Sequence, residues 1–520
     1  MIFSASDIYS LHKPSLCKRR VFLRAHHVPE TEAGDFEKLI FELGRRHESN
    51  HLMSFPGYKD LSQGDLNDRI AKIRKAISDR ADVIYQGVLT ARLPDTEDTV
   101  IGIPDFLIRK DQTYTIRDCK LARHVEKSNH EEILLQLQLY GWLFEESMKK
   151  PPSGLEVYLG DRTVISIPFA EDHSVLKTLN LIRSLTSRPD EPYSPVGWSK
   201  CSSCGFWNKC WKTAEDEQDL ALVYGIDQGI AIALRDRGVK SIDGLLKSHN
   251  SSTLSEVKKQ RGSRMVKIGK AAERILLQAE ALKTKKHRLI KPLKLPVSRN
   301  MVMFDLEGLP PQFDELDKIY LWGTQVFGEN PCDYLPSLAG FGEDGDREGW
   351  HKFLENSNTI LKKYGNIPFI HYTHYETTKV KSYISRYGDP NGIAQRVLDN
   401  CIDLHKIIHD SLVLPEYSYS LKVIEERAGF KRSMEEYGGV WSIVQYIRAI
   451  ETNDEKLREE MISEILKYNK EDLEATWAVM QWLRKFYGIH DGPGALPQDL
   501  NQSGFHPNRK AQSSVKRTPE

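Results

Sequence analysis

Two neighbouring strand patterns with charged residues at matched positions constrain this chain more than any other feature. The segment IPDFLIRKDQTYTIRDCKLA places Asp105 near the start of one predicted strand, residues 101–109, and Asp118 and Lys120 near the end of the next, residues 113–121. Side chains two positions apart on a strand point to the same face, so Asp118 and Lys120 share one. A short turn brings Asp105 alongside. The pattern therefore predicts two carboxylates and one ammonium group converging on one spot.

The flanking patterns place this pair of strands in a mixed α/β unit that covers residues 1–213. Apolar residues at helical spacing predict helices over 31–49 and 129–149. A further strand is predicted over 82–92, and a hairpin over 155–167 turns at Gly160-Asp161. The order helix, three strands, helix, two strands is typical of an α/β domain.

The charged residues suit phosphodiester hydrolysis. Carboxylates hold a hard divalent cation such as Mg²⁺, which lowers the pKa of a bound water. A lysine orients that water or stabilises the developing negative charge. Asp-x-Lys alone is common and also describes a solvated strand face. Two helices add context: one carries Gln136 and Tyr140 on one face, and the other carries Gly44-Arg-Arg-His47-Glu48.

Together these motifs resemble the PD-(D/E)XK nuclease fold in its RecB-like branch. Asp105, Asp118 and Lys120 match the core motif. The upstream helix of that branch has a glycine followed by a histidine or glutamate metal ligand, and both His47 and Glu48 remain candidates here. The resemblance also implies DNA contacts at the downstream Gln-xxx-Tyr motif, which is matched by Gln136 and Tyr140.

Four cysteines form a second motif. Cys201, Cys204 and Cys210 have the spacing of metal ligands, and Cys17, near the start of the same domain, is the candidate fourth ligand. General chemistry favours Zn²⁺ for four thiolates. The pattern resembles RecB-like nucleases of the AddB and CRISPR-adaptation types, which implies a structural 4Fe-4S cluster instead. Both remain open, because both fit the ligand chemistry.

Residues 214–282 read as a helical middle segment with glycine turns, similar to helix-hairpin-helix modules. Gly269 and Lys270 are its candidate phosphate contacts, since a helix start exposes backbone N–H groups. A purely structural spacer is an equal alternative. Residues 283–299 hold seven Lys or Arg and no acidic residue. They predict an extended basic linker, either solvated or in contact with phosphates.

A second acidic pattern occupies residues 300–490. Asp305 and Glu307 share a face at the end of a hydrophobic strand, and Tyr468 and Asp472 share a helical face. Together with Glu376, these carboxylates can hold two divalent ions.

This second pattern resembles the tyrosine-bearing DEDD exonucleases of the DnaQ-like branch of the RNase H fold. Asp305 and Glu307 match the first motif, Glu376 the second, and Asp472 with Tyr468 the third. Gly308 replaces the usual threonine, and Glu376 replaces the usual aspartate. Asp403 is expected to support the site.

The arrangement as a whole resembles a bacterial and archaeal family of RecB-like nucleases with a YprB-type RNase H-like domain. We expect a metal-dependent DNA nuclease, exonucleolytic and acting in repair or processing, with Mg²⁺ or Mn²⁺ as cofactor. One alternative is a nucleic-acid end-binding protein with a degenerate C-terminal site. Another is an RNA-processing exonuclease. DNA is favoured over RNA as partner, and a helicase or other repair protein is a further candidate partner.

Composition limits these expectations only weakly. The 520 residues include 73 basic and 73 acidic ones, a balance that neither favours nor excludes nucleic-acid binding. The chain has no run of 18 apolar residues and no secretory pattern at its start, so we expect a cytoplasmic protein without membrane contact. Residues 491–520, rich in Gly, Pro, Asn, Gln and Ser, predict a disordered tail.

Overall fold

The computed structural model describes residues 1–32, 34–122, 124–126, 130–170, 173–262, 264–310, 317–340, 342–433, 438–486 and 488. The predicted disordered tail, residues 491–520, lies outside the described residues. In the part of the chain that is described, no helix is both long and apolar enough to cross a bilayer.

The N-terminal part contains a six-stranded and a three-stranded sheet. Its strands are β1 (Ile2–Ser4), β2 (Lys59–Asp60), β3 (Val83–Tyr85), β4 (Leu89–Arg92), β5 (Thr99–Gly102), β6 (Phe106–Lys110), β7 (Thr113–Cys119), β8 (Gly154–Tyr158) and β9 (Val164–Ile167). The larger sheet has the order β2-β3-β6-β7-β8-β9 and the smaller one β1-β5-β4. β6 and β7 are antiparallel, whereas β7 and β8 are parallel.

Two strand predictions were wrong in extent, because each predicted strand is divided between the two sheets. Residues 82–92 form β3 and β4, and residues 101–109 span β5 and β6. Gln86 has φ 51°, a left-handed conformation that interrupts an extended chain. Pro104 lies at the other break, where it removes a backbone donor.

Helices cover these sheets. They are α1 (Ala5–His12), α2 (Lys18–Ala25), α3 (Asp35–Leu52), α4 (Leu66–Ser78), α5 (Glu131–Met148), α6 (Val175–Thr186), α7 (Trp198–Cys201) and α8 (Trp207–Asp216). α5 connects the parallel strands β7 and β8, as parallel pairing requires. Its residues Leu137, Leu139 and Leu143 are fully buried in the core.

The middle segment is helical, as predicted, except for one hairpin. Its helices are α9 (Gln228–Arg235), α10 (Ile242–Ser248), α11 (Ser251–Ser255) and α12 (Ala271–Thr284), with a 3₁₀ turn at Leu220–Leu222. β10 (Lys258–Arg261) and β11 (Arg264–Lys267) form an antiparallel hairpin between α11 and α12. Helical periodicity in the flanking residues masked this short hairpin, whose turn includes Gly262 at φ 58°.

The C-terminal part is a second α/β unit. Its strands are β12 (Arg288–Leu289), β13 (Asn300–Gly308), β14 (Ile319–Gly328), β15 (Leu335–Leu338), β16 (Phe369–His371), β17 (Cys401–Asp403) and β18 (Leu412–Val413). Its helices are α13 (Gly342–Tyr364), α14 (Tyr375–Tyr387), α15 (Ile393–Asp399), α16 (Leu404–Ser411), α17 (Leu421–Arg427), α18 (Gly439–Glu451) and α19 (Glu455–Phe486).

The main sheet of this unit has the order β15-β14-β13-β16-β17. β13 is antiparallel to β14 and parallel to β16, which is parallel to β17. The carboxyl ends of β13, β16 and β17 therefore meet at one edge, where ligands bind in open α/β sheets.

Contacts join the three parts. β12, in the basic linker, pairs antiparallel with β18. In the middle segment, Gln278 of α12 donates to the Leu414 carbonyl at 2.6 Å. Leu39 of α3 shares a buried cluster with Tyr320 of β14 and Val444 of α18. These contacts bring helix α3, which carries Glu48, against the C-terminal unit.

Candidate active sites

The first candidate site lies where β6 begins and β7 ends. Phe106 pairs with Arg117, so Asp105 and Asp118 face each other across the two strands. The Cys119 amide donates to Asp105 Oδ2 at 2.7 Å. The Lys120 ammonium forms an ion pair with Asp118 Oδ2. The structure thus brings the predicted carboxylates and lysine together.

Glu48 reaches this cluster from helix α3. Its Oε1 accepts hydrogen bonds of 2.8 Å from the Tyr85 hydroxyl and from Gln86 Nε2. Its charge helps to raise the pKa of Asp105. His47 instead stacks on the Tyr158 ring, with centroids 4.7 Å apart. Of the two upstream candidates, Glu48 is therefore the one that lies beside the carboxylates.

Burial, followed by the charges of Asp118 and Glu48, raises the pKa of Asp105 well above its usual range. For Lys120, burial lowers the pKa and the carboxylates of Asp118 and Asp105 raise it, with a net upward shift. Lys120 therefore stays an ammonium group, suited to stabilising negative charge. Three carboxylates against one ammonium leave the site with a deficit of positive charge that a divalent cation would fill.

Gln136 and Tyr140 lie on α5, one helical turn apart, and bond to each other. Gln136 Nε2 donates to the Tyr140 hydroxyl at 2.8 Å. Burial, followed by the Asp118 charge, raises the pKa of Tyr140. The motif therefore borders the carboxylate cluster, and Tyr140 faces the same charges as Lys120.

The second candidate site is a compact acidic triad formed by Asp305 and Glu307 of β13 and Asp472 of α19. One ligand oxygen from each lies within 4.8 Å of the others. Among the described residues this is the one group of three His, Cys, Asp or Glu side chains gathered that closely. The triad can bind a divalent metal ion.

Asn469, one turn before Asp472, holds the triad in place. Its Nδ2 donates to Asp305 Oδ2 at 2.7 Å, and its Oδ1 accepts from the Tyr334 hydroxyl at 2.8 Å. Gly323, which pairs with Asp305 across β13 and β14, makes room for the amide. A Cβ at position 323 would lie 1.8 Å from Asn469 Oδ1, so a larger residue would displace this amide.

A buried arginine compensates the triad. Arg432 Nη2 donates to Asp472 Oδ1, and the same guanidinium donates to both oxygens of Glu425, at 2.6 and 2.7 Å. The Arg432 side chain is only 6% exposed. Burial, followed by the Asp472 charge, raises the pKa of Asp305 and Glu307 well above their usual range. One internal cation therefore does not fully offset the crowded carboxylates.

Tyr468 lies over the same site. A hydrogen bond from Tyr468 lowers the pKa of Asp472, whose net shift is nevertheless upward because of burial. Burial and then the Asp472 charge raise the pKa of Tyr468 itself far above its usual value. The hydroxyl is thus neutral at physiological pH and serves as a hydrogen-bond donor.

Glu376 lies on the flank of the triad and is not part of it. Its Oε2 is 3.3 Å from His371 Nδ1, and its charge still raises the pKa of Asp305. Asp403, the expected supporting carboxylate, accepts from the amides of Lys406 at 2.9 Å and Thr373 at 3.3 Å. It thereby fixes the loop between β16 and Glu376.

Gly308, which replaces the threonine of the first motif, has a steric explanation. A Cβ at that position would lie 2.4 Å from the Tyr375 hydroxyl. The charge of Glu307 is among the causes, after burial and Asp317, that raise the pKa of Tyr375. A tyrosine hydroxyl therefore stands beside the triad where a threonine side chain would otherwise lie.

Comparisons with protein families agree with this geometry. A model of the PD-(D/E)XK nuclease superfamily matches residues 23–211, and a model of the RNase H superfamily matches residues 302–484. The chain joins a PD-(D/E)XK nuclease domain to an RNase H-like domain. The α/β multidomain fold with a helical middle is thereby confirmed. Both superfamilies indicate a nucleic-acid substrate and phosphodiester hydrolysis.

Other comparisons add little. No curated protein matches the chain at a significant level. The crystal structure of SSO0001 is similar over 40% of this chain and 85% of that chain, with 14% sequence identity and a TM-score of 0.22. A likeness of that size carries no argument about function.

The four cysteines lie at the edge of the PD-(D/E)XK domain. Cys17 caps α2, Cys201 ends α7, Cys204 follows in the turn and Cys210 lies in α8. All four are free and half-buried. Burial raises the pKa of Cys210 to about 11, and the Cys17 charge adds to the upward shift. The sulfurs are electrostatic neighbours, but among the described residues they do not form a group within 4.8 Å.

The middle segment holds the other predicted contacts. Gly269 has φ 62°, and its amide donates to the Ser255 carbonyl at 2.9 Å, so this N–H is already used within the protein. Lys270 is exposed at the start of α12. Of these two residues, Lys270 is therefore the one available to contact a phosphate.

Several residues around the two sites were not predicted. They are Tyr85, Gln86, Tyr334, Gly323, Glu425, Arg432 and Asn469. Asn469 lies next to Tyr468 in the motif, and its helical position, one turn before Asp472, was a usable signal. Arg432 has no comparable signal, because it arrives from a loop about 40 residues away in sequence.

Proposed function

We propose that the protein is a metal-dependent nuclease that hydrolyses phosphodiester bonds in DNA, exonucleolytically and with two active sites, in DNA repair or processing. The observation that carries this proposal is the acidic triad Asp305, Glu307 and Asp472, whose oxygens converge within 4.8 Å at the carboxyl edge of an RNase H-like sheet. A second carboxylate cluster with a lysine lies in the PD-(D/E)XK domain.

At the first site, Asp105, Asp118 and Glu48 would hold Mg²⁺ or Mn²⁺, which polarises the scissile phosphate and activates water. Lys120 would stabilise the charge that develops on the phosphate oxygens. The hydrogen bonds of Tyr85 and Gln86 to Glu48 fix the direction in which this carboxylate presents its remaining lone pairs. Gln136 and Tyr140 would contact the DNA beside the cleavage point.

At the second site, the triad would hold the same kind of ion, and cleavage would trim 3′ ends. Tyr468 would orient the attacking water as a neutral donor, in agreement with its raised pKa. Glu376, on the flank, would reach a second ion only after its contact with His371 is exchanged. Asn469 keeps Asp305 oriented in the absence of metal.

The four cysteines would hold a structural 4Fe-4S cluster, with Zn²⁺ as the alternative. Support comes from four free thiols in the two end regions of one domain, two of which, Cys204 and Cys210, pack against the apolar side chains of Phe22, Leu23 and Phe206. Anaerobic purification followed by iron, sulfide and zinc analysis distinguishes the two. A broad visible absorbance lost in Cys204→Ser favours iron–sulfur, one bound zinc favours the alternative, and no bound metal contradicts both.

A second candidate function is nucleic-acid end binding with a degenerate C-terminal site. The contact of Arg432 with Asp472 and the position of Glu376 outside the triad favour it for that domain alone. An RNA-processing exonuclease is the further alternative, because the RNase H-like site can accept either sugar.

An end-labelled digestion assay tests these proposals. Anaerobically purified protein is incubated with single-stranded and duplex DNA and RNA in Mg²⁺, Mn²⁺ or EDTA, and Lys120→Met and Asp305→Asn are compared with the wild type. We expect metal-dependent cleavage of DNA in which Lys120→Met removes one activity and Asp305→Asn removes 3′ trimming. Lys110→Met is the matched control, since Lys110 is exposed on the neighbouring strand β6.

Each outcome separates the candidates. Loss of 3′ trimming in Asp305→Asn supports two working sites. An unchanged 3′ trimming pattern in Asp305→Asn supports a degenerate C-terminal site. Preference for RNA supports the RNA-processing alternative. A wild type that binds DNA ends but cleaves none of these substrates refutes the nuclease proposal.

A further inference from the structure

The hairpin β10–β11 in the middle segment has an unusual charge distribution. Residues 258–270 read KKQRGSRMVKIGK and contain six Lys or Arg and no acidic residue, in a chain whose net charge is zero. The described residues of both strands are exposed or half-exposed on both faces. Helix α9 packs against β10 and supports the ribbon, which would be marginal by itself.

The strand register places like charges opposite each other, which destabilises the hairpin when no anion is bound to it. Lys258 lies directly opposite Lys267, and Arg261 directly opposite Arg264. Like charges at directly opposed positions destabilise an antiparallel pair. Two of the four cross-strand pairs therefore oppose the fold of the hairpin, unless an anion lies over them.

Only part of this charge is neutralised within the protein. Lys259 forms an ion pair with Asp227, and Lys267 with Glu256. Lys258, Arg261 and Arg264 form no ion pair with any described residue. Arg261 and Arg264 thus flank the turn of the hairpin, near Met265, whose exposed fraction is 56%, whereas Lys258 lies at the opposite end of the ribbon.

The basic linker also combines paired and unpaired cations, but its strand β12 places no cation directly opposite another. Its Lys283 pairs with Asp243 at 2.6 Å, and its Arg288 lies 3.7 Å from Glu280. The linker has seven Lys or Arg in 17 residues, a lower density than the six in residues 258–270. The unpaired, mutually opposed cations of the hairpin are therefore the stronger candidates for contact with an external anion.

We propose that the β10–β11 hairpin is a binding element for duplex nucleic acid, with Lys258, Arg261 and Arg264 contacting backbone phosphates. The major groove of a duplex admits a two-stranded β-ribbon, and the regular spacing of phosphates along both its edges matches cations carried on both faces of a ribbon. Lys270, exposed where the hairpin meets α12, extends the same surface. This inference rests on the proposed function, because it supplies the surface that holds the substrate of the nuclease sites.

Fluorescence anisotropy in EDTA tests the proposal without cleavage, using a blunt 20-base-pair DNA duplex and a 20-nucleotide single strand over a range of salt concentrations. Arg261→Ala/Arg264→Ala is expected to bind the duplex roughly tenfold more weakly and to reduce the slope of log K against log salt by about two. Arg261→Lys/Arg264→Lys keeps the charge and should retain most of the slope. Lys283→Ala/Arg288→Ala, with the same change in net charge, is the matched control and should change the slope little.

The outcomes are distinguishable from those of the nuclease proposal. If the arginine-to-alanine variant binds the duplex like the wild type, the hairpin proposal is wrong, and the cleavage assay still decides the function. If that variant loses only single-strand binding, the duplex assignment is overturned. If the control variant loses as much slope, the linker is the phosphate contact. If the wild type binds neither probe, both proposals fail.

Discussion

The two acidic sites balance their charge in different ways. In the PD-(D/E)XK domain the cation is Lys120, two residues from its partner Asp118 along the chain. In the RNase H-like domain it is Arg432, which reaches Asp472 from a distant loop and is itself held by Glu425. The Lys120 side chain is 25% exposed, whereas that of Arg432 is 6% exposed.

This difference has a functional consequence. At the first site Lys120 already pairs with Asp118 Oδ2, but its side chain stays partly exposed. A buried arginine that already bonds to Asp472 competes with a metal ion for the same oxygen. A metal ion would therefore compete with a cation at both sites, and Arg432, which is buried and also held by Glu425, would be the harder of the two to displace.

The largest expected effect tests the lysine of the first site. Lys120→Met should reduce cleavage at that site about a thousandfold, or about 4 kcal/mol in transition-state stabilisation, because the developing phosphate charge loses its ammonium. Steady-state cleavage of duplex DNA measures this, with Lys110→Met as control. A loss of less than about tenfold would mean that Lys120 acts only on folding or on the orientation of Asp118.

The next effect tests the arginine of the second site. Arg432→Met should lower the free energy of unfolding of the metal-free protein by about 3 kcal/mol, because it leaves Asp472 and Glu425 buried without their partner. Saturating Mn²⁺ should restore most of this loss, and calorimetry should show about tenfold tighter Mn²⁺ binding.

Arg427→Met is the control for that experiment. Its ion pair with Glu416 is about a quarter exposed on each side, and we expect a loss below about 1 kcal/mol without rescue by Mn²⁺. Weaker Mn²⁺ binding in Arg432→Met would show that the arginine supports metal binding rather than competing with it.

A smaller effect concerns pH and the first domain. Burial, followed by the charges of Arg117 and His47, lowers the pKa of His51 to about 4. The unfolded chain, with a histidine pKa near 6.5, binds this proton more tightly. Stability should therefore fall as pH drops from about 6.5 to about 4, by at most about 3 kcal/mol.

Urea unfolding at several pH values measures this contribution. His51→Phe keeps an aromatic ring against Tyr158, which stacks on His51 with centroids 3.7 Å apart, but it cannot titrate. The variant should therefore show a flatter pH dependence across this window. An unchanged slope would assign the acid sensitivity to other groups.

The smallest effect tests the support of the triad. Tyr334→Phe removes the hydroxyl that donates to Asn469 at 2.8 Å and should cost about 1 kcal/mol in thermal unfolding. Binding of Mn²⁺ should weaken only a few-fold, since Asp305 keeps its bond to Asn469. Tyr58→Phe, at a side chain 46% exposed, should be neutral. Equal effects in the two variants would rule out a specific role for Tyr334.

Much of the fold followed from local patterns. The α/β class, helices α3 and α5 and the long strand β13 were predictable, because apolar periodicity extends over many residues there. The true extents of the strands at 82–92 and 101–109 were not predictable. The left-handed residue Gln86 interrupts the first and Pro104 the second, and each is divided between two sheets. The β10–β11 hairpin was missed because its strands have four residues each and carry no apolar alternation.

The candidate sites show the same division. Asp118 with Lys120 and Asp305 with Glu307 were readable because two-residue spacing on a strand puts each pair on one face. The sequence could not predict whether His47 or Glu48 reaches Asp105. Adjacent helical residues point in directions about 100° apart, so only the packing of α3 decides which side chain faces the site. The sequence motif grouped Glu376 with the three other carboxylates, but in the structure it lies beside the triad, next to His371, and is not part of it.

The sequence by itself determined which chemical groups this protein can use: carboxylates at strand ends, a lysine beside them, four thiols and a tyrosine on the final helix. Only the tertiary structure decided which cations and hydrogen-bond donors offset the charge of those carboxylates. Asn469 donates to Asp305, Arg432 pairs with Asp472, and Gly323 makes room for the Asn469 amide, although none of the three belongs to the strand that carries Asp305. The physical reason is that charge compensation and close packing depend on distances in space, which local spacing specifies only within a single strand or helix.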